Sequence, residues 1–140
     1  MADDMRPQGG KRLIVNPWTW QDRFAFVHAN VISDGRRVAY CAGQTSTDAD
    51  GNAIHKDDMA GQIEQALANV ETVLGEAGMA LADVVRLNYY VTDVDAFLQA
   101  GETLKAALAG AGCRPASTLL GVTRLASPDF LVEIEATAIG

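Results

Sequence analysis

Residues 131–139, LVEIEATAI, alternate between apolar and polar side chains near the end of the chain. A period of two indicates a β-strand with one buried face. One face carries Val132, Ile134, Ala136 and Ala138, and the other carries Glu133, Glu135 and Thr137. Residues two apart on a strand lie roughly 6.5–7 Å apart, so two carboxylates there are unfavourable in a dry core. This polar face therefore meets water, a ligand or a neutralising group.

A second extended segment precedes this strand, at residues 114–124, and includes Pro115 near its start. Its Thr, Val and Leu content is typical of a strand. Between the two segments the pattern is interrupted by Ser127, Pro128 and Asp129. We expect the chain to end in two strands of one sheet.

The sequence of the remaining residues predicts four further strands and two helices. The strands are predicted at residues 12–15, 26–32, 37–44 and 84–92. The helices are predicted from Asp57 or Asp58 to residue 77, and from Asp93 or Asp95 to residue 108, because an aspartate can cap each apolar helical repeat.

Two short signals refine the region between residues 26 and 44. Asp34 and Gly35 predict a hairpin turn that pairs strand 26–32 with strand 37–44. Gly43 indicates a bulge or a close backbone approach within the second of these strands.

This order of elements predicts a single α+β domain spanning residues 1–140, with residues 1–11 flexible. We expect a mixed β-sheet with both helices on one face. No predicted element remains to cover the other face, so the sheet favours an oligomer.

Composition narrows the classes of function. The net charge of −7 argues against binding to nucleic acid or to anionic membranes. We expect a cytoplasmic protein, because the N-terminus lacks an apolar signal core and no run is long enough to span a bilayer. Cys41 and Cys113 are expected to be buried free thiols.

Motifs for metal, nucleotide or triad chemistry are missing from the sequence. Two histidines, His28 and His55, and two separated cysteines predict neither a metal site nor a bound cofactor. Any chemistry would therefore be carried by carboxylates, backbone groups and water. The aromatic cluster Trp18, Trp20, Phe24 and Phe26 is interpreted either as packing or as the lining of a cleft.

Four segments together resemble a known family. They are YCAGQTSTDADGN at 40–52, QALANVETVLGEAG at 65–78, ADVVRLNYYVTDVDAF at 82–97 and PASTLLGVTRLASPDFLVEIEATA at 115–138. In order and spacing they resemble the Rid family, also called the YjgF or endoribonuclease L-PSP family. The resemblance implies a chorismate-mutase-like fold and a homotrimer with a barrel-like assembly of sheets and ligand clefts between subunits.

The resemblance also implies a chemistry. Members of the best-characterised branch hydrolyse 2-imino acids, or their enamine tautomers, to 2-oxo acids and ammonia. An arginine fork would bind the substrate carboxylate, and a glutamate with nearby backbone groups would position water. No cofactor is implied.

Carried over residue by residue, the resemblance is incomplete. Glu133 matches the glutamate of the terminal strand, and Gly43 and Gln44 match the glycine and glutamine after the hairpin. The clamping arginine normally follows Pro-Ala, but here Ser117 follows Pro115-Ala116. Serine has no charge and cannot replace a charge-assisted fork.

Several interpretations therefore stay open. Arg114 is a candidate substitute clamp, although its odd spacing from Ser117 puts it on the opposite face of a regular strand, and Glu133 and Glu135 either face a cleft or only water. Cys113, Ser117 and Thr118 are further candidates for the lining of the cleft. The chain is predicted to handle a small molecule, either as an imine or enamine hydrolase with doubtful action on simple 2-imino acids, or as a non-catalytic binding trimer. Endoribonuclease activity is not expected.

Overall fold

The structure is a computed structural model that describes residues 11–25, 28–33 and 37–140. The turn predicted at Asp34 and Gly35 lies outside these residues, as does the segment predicted to be flexible, apart from Lys11. Lys11 itself begins a strand.

Seven strands and three α-helices occur within the described residues. The strands are β1 Lys11–Val15, β2 Ala29–Ser33, β3 Val38–Tyr40, β4 Gln44–Thr45, β5 Val84–Val91, β6 Ala116–Gly121 and β7 Val132–Ile139. The helices are α1 Met59–Glu76, α2 Val94–Gln99 and α3 Gly101–Gly110. Short 3-10 turns occur at Trp20–Phe24 and Leu81–Asp83.

The main sheet is mixed and is built around β7. Its strand order is β3-β7-β5-β6, and β4 also pairs with β7. β7 runs antiparallel to β3, β4 and β5, whereas β5 and β6 are parallel. The predicted α+β class with a mixed sheet is confirmed.

The alternation in β7 produces the predicted buried face. The side chains of Val132, Ile134, Ala136 and Ala138 are at most 1% exposed. They pack in one core with the apolar face of α1, which includes Ile63, Val70 and Leu74. Burial of each large aliphatic side chain contributes about 1.5–3 kcal/mol, so this layer provides much of the stability of the domain.

The helix boundaries follow the aspartate caps. Asp58 is the N-cap of α1, because its carboxylate accepts a hydrogen bond from the N–H of Gly61 at 3.0 Å. Asp93 caps α2 in the same way through the N–H of Ala96. The single helix predicted to end at residue 108 is wrong: Ala100 leaves the helical conformation (φ −90, ψ 11), and α3 begins at Gly101. Glycine has low helix propensity, which favours a break at this point.

The predicted strand 37–44 is divided, and its partner is different. β3 and β4 are separate segments, and both pair with β7. The predicted pairing of this region with strand 26–32 is wrong, because β2 pairs with β1 in a separate two-stranded sheet. Strand 114–124 is also shorter than predicted, and β6 ends at Gly121.

Arg12 attaches the β1–β2 hairpin to the main domain. Its side chain is 1% exposed, and its guanidinium donates hydrogen bonds to the carbonyl oxygens of Ala82, Val84 and Arg114 at 2.7–2.9 Å. Asn30 of β2 accepts from Arg12 Nε and donates to the carbonyl of Val85. These oxygens compensate for the cost of burying the charge.

Candidate functional site

The second face of the main sheet is polar and carries three side chains from β5. Arg86, Asn88 and Tyr90 point away from the core, whereas their neighbours Leu87, Tyr89 and Val91 are buried in it. The register places Tyr90 opposite Glu133 and Asn88 opposite Glu135. We call this surface, formed by Thr45, Arg86, Asn88, Tyr90, Thr118, Glu133, Glu135 and Thr137, the open face.

Glu135 is the centre of a hydrogen-bond network on the open face. Its Oε1 accepts from Asn88 Nδ2 at 3.1 Å and from the Tyr90 hydroxyl at 2.8 Å. The hydrogen bonds from Asn88 and Tyr90 lower the pKa of the Glu135 carboxyl. The same bond to Glu135, together with partial burial and the charges of Glu135 and Glu133, raises the pKa of Tyr90.

Glu133 has a different environment from Glu135. Among the described residues, none donates a hydrogen bond to its carboxylate. A Cβ atom at position 43 would overlap that carboxylate, so any other residue there would displace it. This is the close approach that Gly43 predicts, and it brings Gly43 and Glu133 together. The half-buried Glu133 carboxylate is therefore available to a ligand or to water.

Gln44 and Ser117 lie on the helix side of the sheet. Gln44 is the register partner of the buried Ile134, and its amide donates to the carbonyl of Ala42. Ser117 is the register partner of the buried Leu87. Ser117 is thus two strands and three residue positions from Glu133, roughly 14 Å between Cα atoms. One chain does not bring Ser117 and Glu133 together.

The predicted residues at the start of β6 have varied surroundings. Cys113 is 4% exposed, and burial raises its pKa to about 12, although the nearby Arg12 charge opposes this shift. Its thiol is therefore protonated at neutral pH and is not a nucleophile. The side chain of Arg114 is exposed, and its carbonyl accepts from Arg12. Thr118 lies on the open face, where its hydroxyl accepts from Arg86 Nη1 at 3.3 Å.

Three side chains that β5 contributes to the open face were not predicted as site residues from the sequence. Arg86, Asn88 and Tyr90 alternate with apolar residues in the strand predicted at 84–92, so their spacing of two already indicated a shared face. What the sequence lacked was the register that places this face beside Glu133 and Glu135.

The aromatic cluster near the N-terminus surrounds His28. The rings of Trp18 and Trp20 each lie 5.0 Å from the His28 ring in edge-on orientation. Both indoles are about half exposed, with exposed fractions of 58% and 49%. Packing against His28 is thus one role of these tryptophans, and Phe26 lies outside the described residues.

No helix in the described part of the chain is long and apolar enough to cross a membrane.

Sequence comparison identifies relatives of this chain. A model of the endoribonuclease L-PSP family matches residues 23–140. A RutC family protein of Pyrococcus abyssi is 32% identical over 99 residues, which cover 71% of this chain and 76% of the relative. The 2-iminobutanoate/2-iminopropanoate deaminase of Salmonella typhimurium is 30% identical over 99 residues, which cover 70% of this chain and 76% of that enzyme.

Structural comparison agrees with these matches. A solved structure of a Rid family protein of unknown function from Yersinia pestis superimposes with a TM-score of 0.79 at 36% identity. The superposition covers 91% of this chain and 98% of the other. The chain therefore belongs to the endoribonuclease L-PSP family, which includes the Rid and YjgF proteins.

Proposed function

We propose that this protein is a cofactor-independent cytoplasmic hydrolase that deaminates small imine or enamine metabolites. The observation that carries the proposal is the Glu133 carboxylate, which lies on the open face against the backbone of Gly43 without a hydrogen-bond donor among the described residues. Relatives at about 30% identity are named 2-iminobutanoate/2-iminopropanoate deaminases, which supports this reaction class.

The chemistry requires one proton-accepting group and one water molecule. Glu133 would take a proton from water as the oxygen adds to the electrophilic C=N carbon, and would return that proton to the nitrogen. In the resulting carbinolamine, Glu133 would then move the hydroxyl proton to the nitrogen as the C–N bond breaks, so that ammonia leaves and a carbonyl remains. Because Gly43 has no Cβ, the Glu133 carboxylate can lie directly against the backbone there.

The site would be completed by a second subunit of a homotrimer. Glu133 and Ser117 are on opposite faces of the sheet in one chain, so a cleft that contains both requires a neighbouring copy. The same open side of the sheet exposes apolar surface, because Val38, Tyr40 and Leu120 are 46%, 83% and 50% exposed. Exposed apolar side chains on one surface of a sheet mark a candidate protein interface.

Position 117 determines which substrates are excluded. Serine supplies no charge for a carboxylate, so simple 2-imino acids should be poor substrates. Cys113, Arg114 and Thr118 remain candidate lining residues near the start of β6, and Gln44 remains one near β4. We favour an imine or enamine substrate without a carboxylate at this position.

The second candidate function is a trimeric binding module without turnover. It is favoured by the same replacement at Ser117, which removes the residue expected to hold a reactive substrate. Ribonuclease activity is the weakest candidate, because a chain with a net charge of −7 repels a polyanion.

The test is an imine-hydrolysis assay in which an amino-acid oxidase generates the 2-imino acid and semicarbazide traps what is left. Wild type, Glu133→Ala and Ser117→Arg would be compared, with Glu71→Ala, an exposed glutamate on α1, as the matched control. We expect weak wild-type activity, none for Glu133→Ala, a gain for Ser117→Arg and no change for Glu71→Ala. If Glu133→Ala is as active as wild type, the assignment of Glu133 is wrong. If no variant is active, the binding module becomes the better description.

A further inference from the structure

The two carboxylates of β7 share one face but do not share a role. Glu135 accepts two hydrogen bonds from its own chain, and Glu133 accepts none from the described residues. We propose that Tyr90 is a specificity-determining residue of the Glu133 site, and that Glu135 positions its hydroxyl so that the Tyr90 oxygen accepts an N–H group of the ligand. This inference rests on the proposed function, because it assumes that the ligand binds beside Glu133.

The direction of the Tyr90 hydrogen bond follows from the number of protons available. A carboxylate only accepts, and a phenol has one proton to donate. The 2.8 Å bond to Glu135 Oε1 therefore uses the hydroxyl proton of Tyr90. Its oxygen keeps its acceptor capacity and has no proton left for a second partner.

Asn88 fixes this arrangement from the other side. Its Nδ2 donates to the same Oε1 at 3.1 Å, so the carboxylate is held by two donors on one strand. Charge-assisted bonds of this kind are roughly twice as strong as neutral ones. The network also keeps the phenol protonated, since the bond to Glu135 is the main cause of the raised pKa of Tyr90.

The register places the Tyr90 side chain next to Glu133. The two residues are cross-strand partners on the open face, where such Cβ atoms lie about 4.5–5.5 Å apart. The charge of Glu133 also contributes to the raised pKa of Tyr90, which is consistent with this proximity. A small ligand that contacts the Glu133 carboxylate therefore contacts the Tyr90 ring or its oxygen.

This geometry discriminates substrate from product. An imine with an N–H, or an enamine, donates a hydrogen bond to the Tyr90 oxygen. The carbonyl compound formed by hydrolysis has only an acceptor at the same place, so two acceptors would face each other. One unmatched hydrogen bond corresponds to about tenfold in affinity.

The inference can be tested with two uncharged probes of similar size, of which only one carries N–H donors. Methyl 3-aminocrotonate is a stable enamine with N–H donors, and methyl acetoacetate is its keto counterpart. Dissociation constants would be measured by ligand-observed NMR, which resolves the signals of both esters. Wild type, Tyr90→Phe and Glu135→Ala would be compared, with Glu71→Ala as the control, because Glu71 is an exposed glutamate on α1 outside the network.

We expect wild type and Glu71→Ala to bind the enamine about tenfold more tightly than the keto ester. Tyr90→Phe should lose this preference because its enamine affinity falls. Glu135→Ala should lose it in another way, because it removes the acceptor of the Tyr90 hydroxyl, which can then turn and donate to the keto ester, whose affinity rises. A purely structural role of Glu135 would weaken both probes together.

Equal binding of the two probes by wild type, binding of neither, or a preference that survives Tyr90→Phe would each overturn the inference. Thermal melting of every variant would confirm that it is folded. The proposed function fails separately: a Tyr90-dependent preference in a protein without imine turnover supports the role of Tyr90 and refutes catalysis by Glu133.

Discussion

The two faces of the main sheet have the same backbone and opposite chemistry. On the helix-covered face, β7 contributes four side chains that are at most 1% exposed. On the open face, the same strand contributes Glu133, Glu135 and Thr137, all half-buried. We expect the first face to determine whether the domain folds, and the second to determine what it binds and what it assembles with. Substitutions that separate these two roles would test the comparison.

The largest loss of stability is expected on the covered face. Ile134→Ala removes a fully buried side chain from the centre of β7 and leaves a cavity against α1. We expect it to lower the free energy of unfolding by about 2–5 kcal/mol. Urea denaturation measures this value, and Thr137→Ala on the opposite face serves as the control. Equal losses for the two variants would contradict the division between the faces.

Gly43→Ala should have the next largest effect, where β4 meets the open face. The added Cβ overlaps the Glu133 carboxylate, so the carboxylate must move. Because the carboxylate is the end of a flexible side chain, we expect the stability loss to be at most about 1 kcal/mol. Ligand binding at Glu133 should decline as well. Gly75→Ala is the matched control, because a Cβ there meets nothing within 4 Å. If Gly43→Ala has the same melting temperature and ligand affinity as wild type, the close approach between Gly43 and the Glu133 carboxylate is contradicted.

Tyr40→Asp should change assembly far more than the fold of the chain. Tyr40 is 83% exposed, so replacing it removes almost no intrachain packing, and the intrinsic effect should stay within about 0.5 kcal/mol. If this surface is the proposed trimer interface, a charge there should nevertheless favour dissociation. Light scattering should detect a trimer for wild type and a smaller species for the variant. A wild-type mass of 14.9 kDa would refute the trimer itself.

The smallest expected effect concerns pH and Glu135. Its two hydrogen bonds lower the folded-state pKa below the ordinary value of 4.5, so they contribute stability above that pH. The contribution is lost as the pH falls through the lowered folded-state pKa. Glu135→Gln should therefore unfold with a flatter acid dependence than wild type in melting curves recorded below neutral pH. Glu76→Gln, on the exposed side of α1, should retain the wild-type slope.

The sequence predicted features that depend on neighbours along the chain. The alternation of β7, the cap at Asp58 and the cap at Asp93 are local, because a few adjacent residues determine them. The break at Ala100 was missed because the apolar repeat continues across it. The local sequence pattern therefore predicted where the helices begin, but it did not predict that the second helix is interrupted.

Features that depend on strand register could not be predicted in the same way. The partner of β3 is β7, almost a hundred residues later, rather than the strand before it. The network among Asn88, Tyr90 and Glu135 likewise joins residues 45–47 positions apart. The sequence shows which residues of each strand share a face. Only the strand pairing shows which polar faces lie side by side, and the candidate site depends on that pairing.

Arg12 has a consequence for the order of folding. Its guanidinium bonds to the carbonyl of Arg114 across 102 residues and to that of Val84 across 72. Contacts this distant form only after a long loop has closed, at an entropic cost that increases with loop length. We therefore expect the N-terminal hairpin to dock last, on a sheet whose strands β5 and β6 are already paired. During translation, the ribosome would therefore have to synthesise nearly all of these residues before β1 has a surface on which to dock.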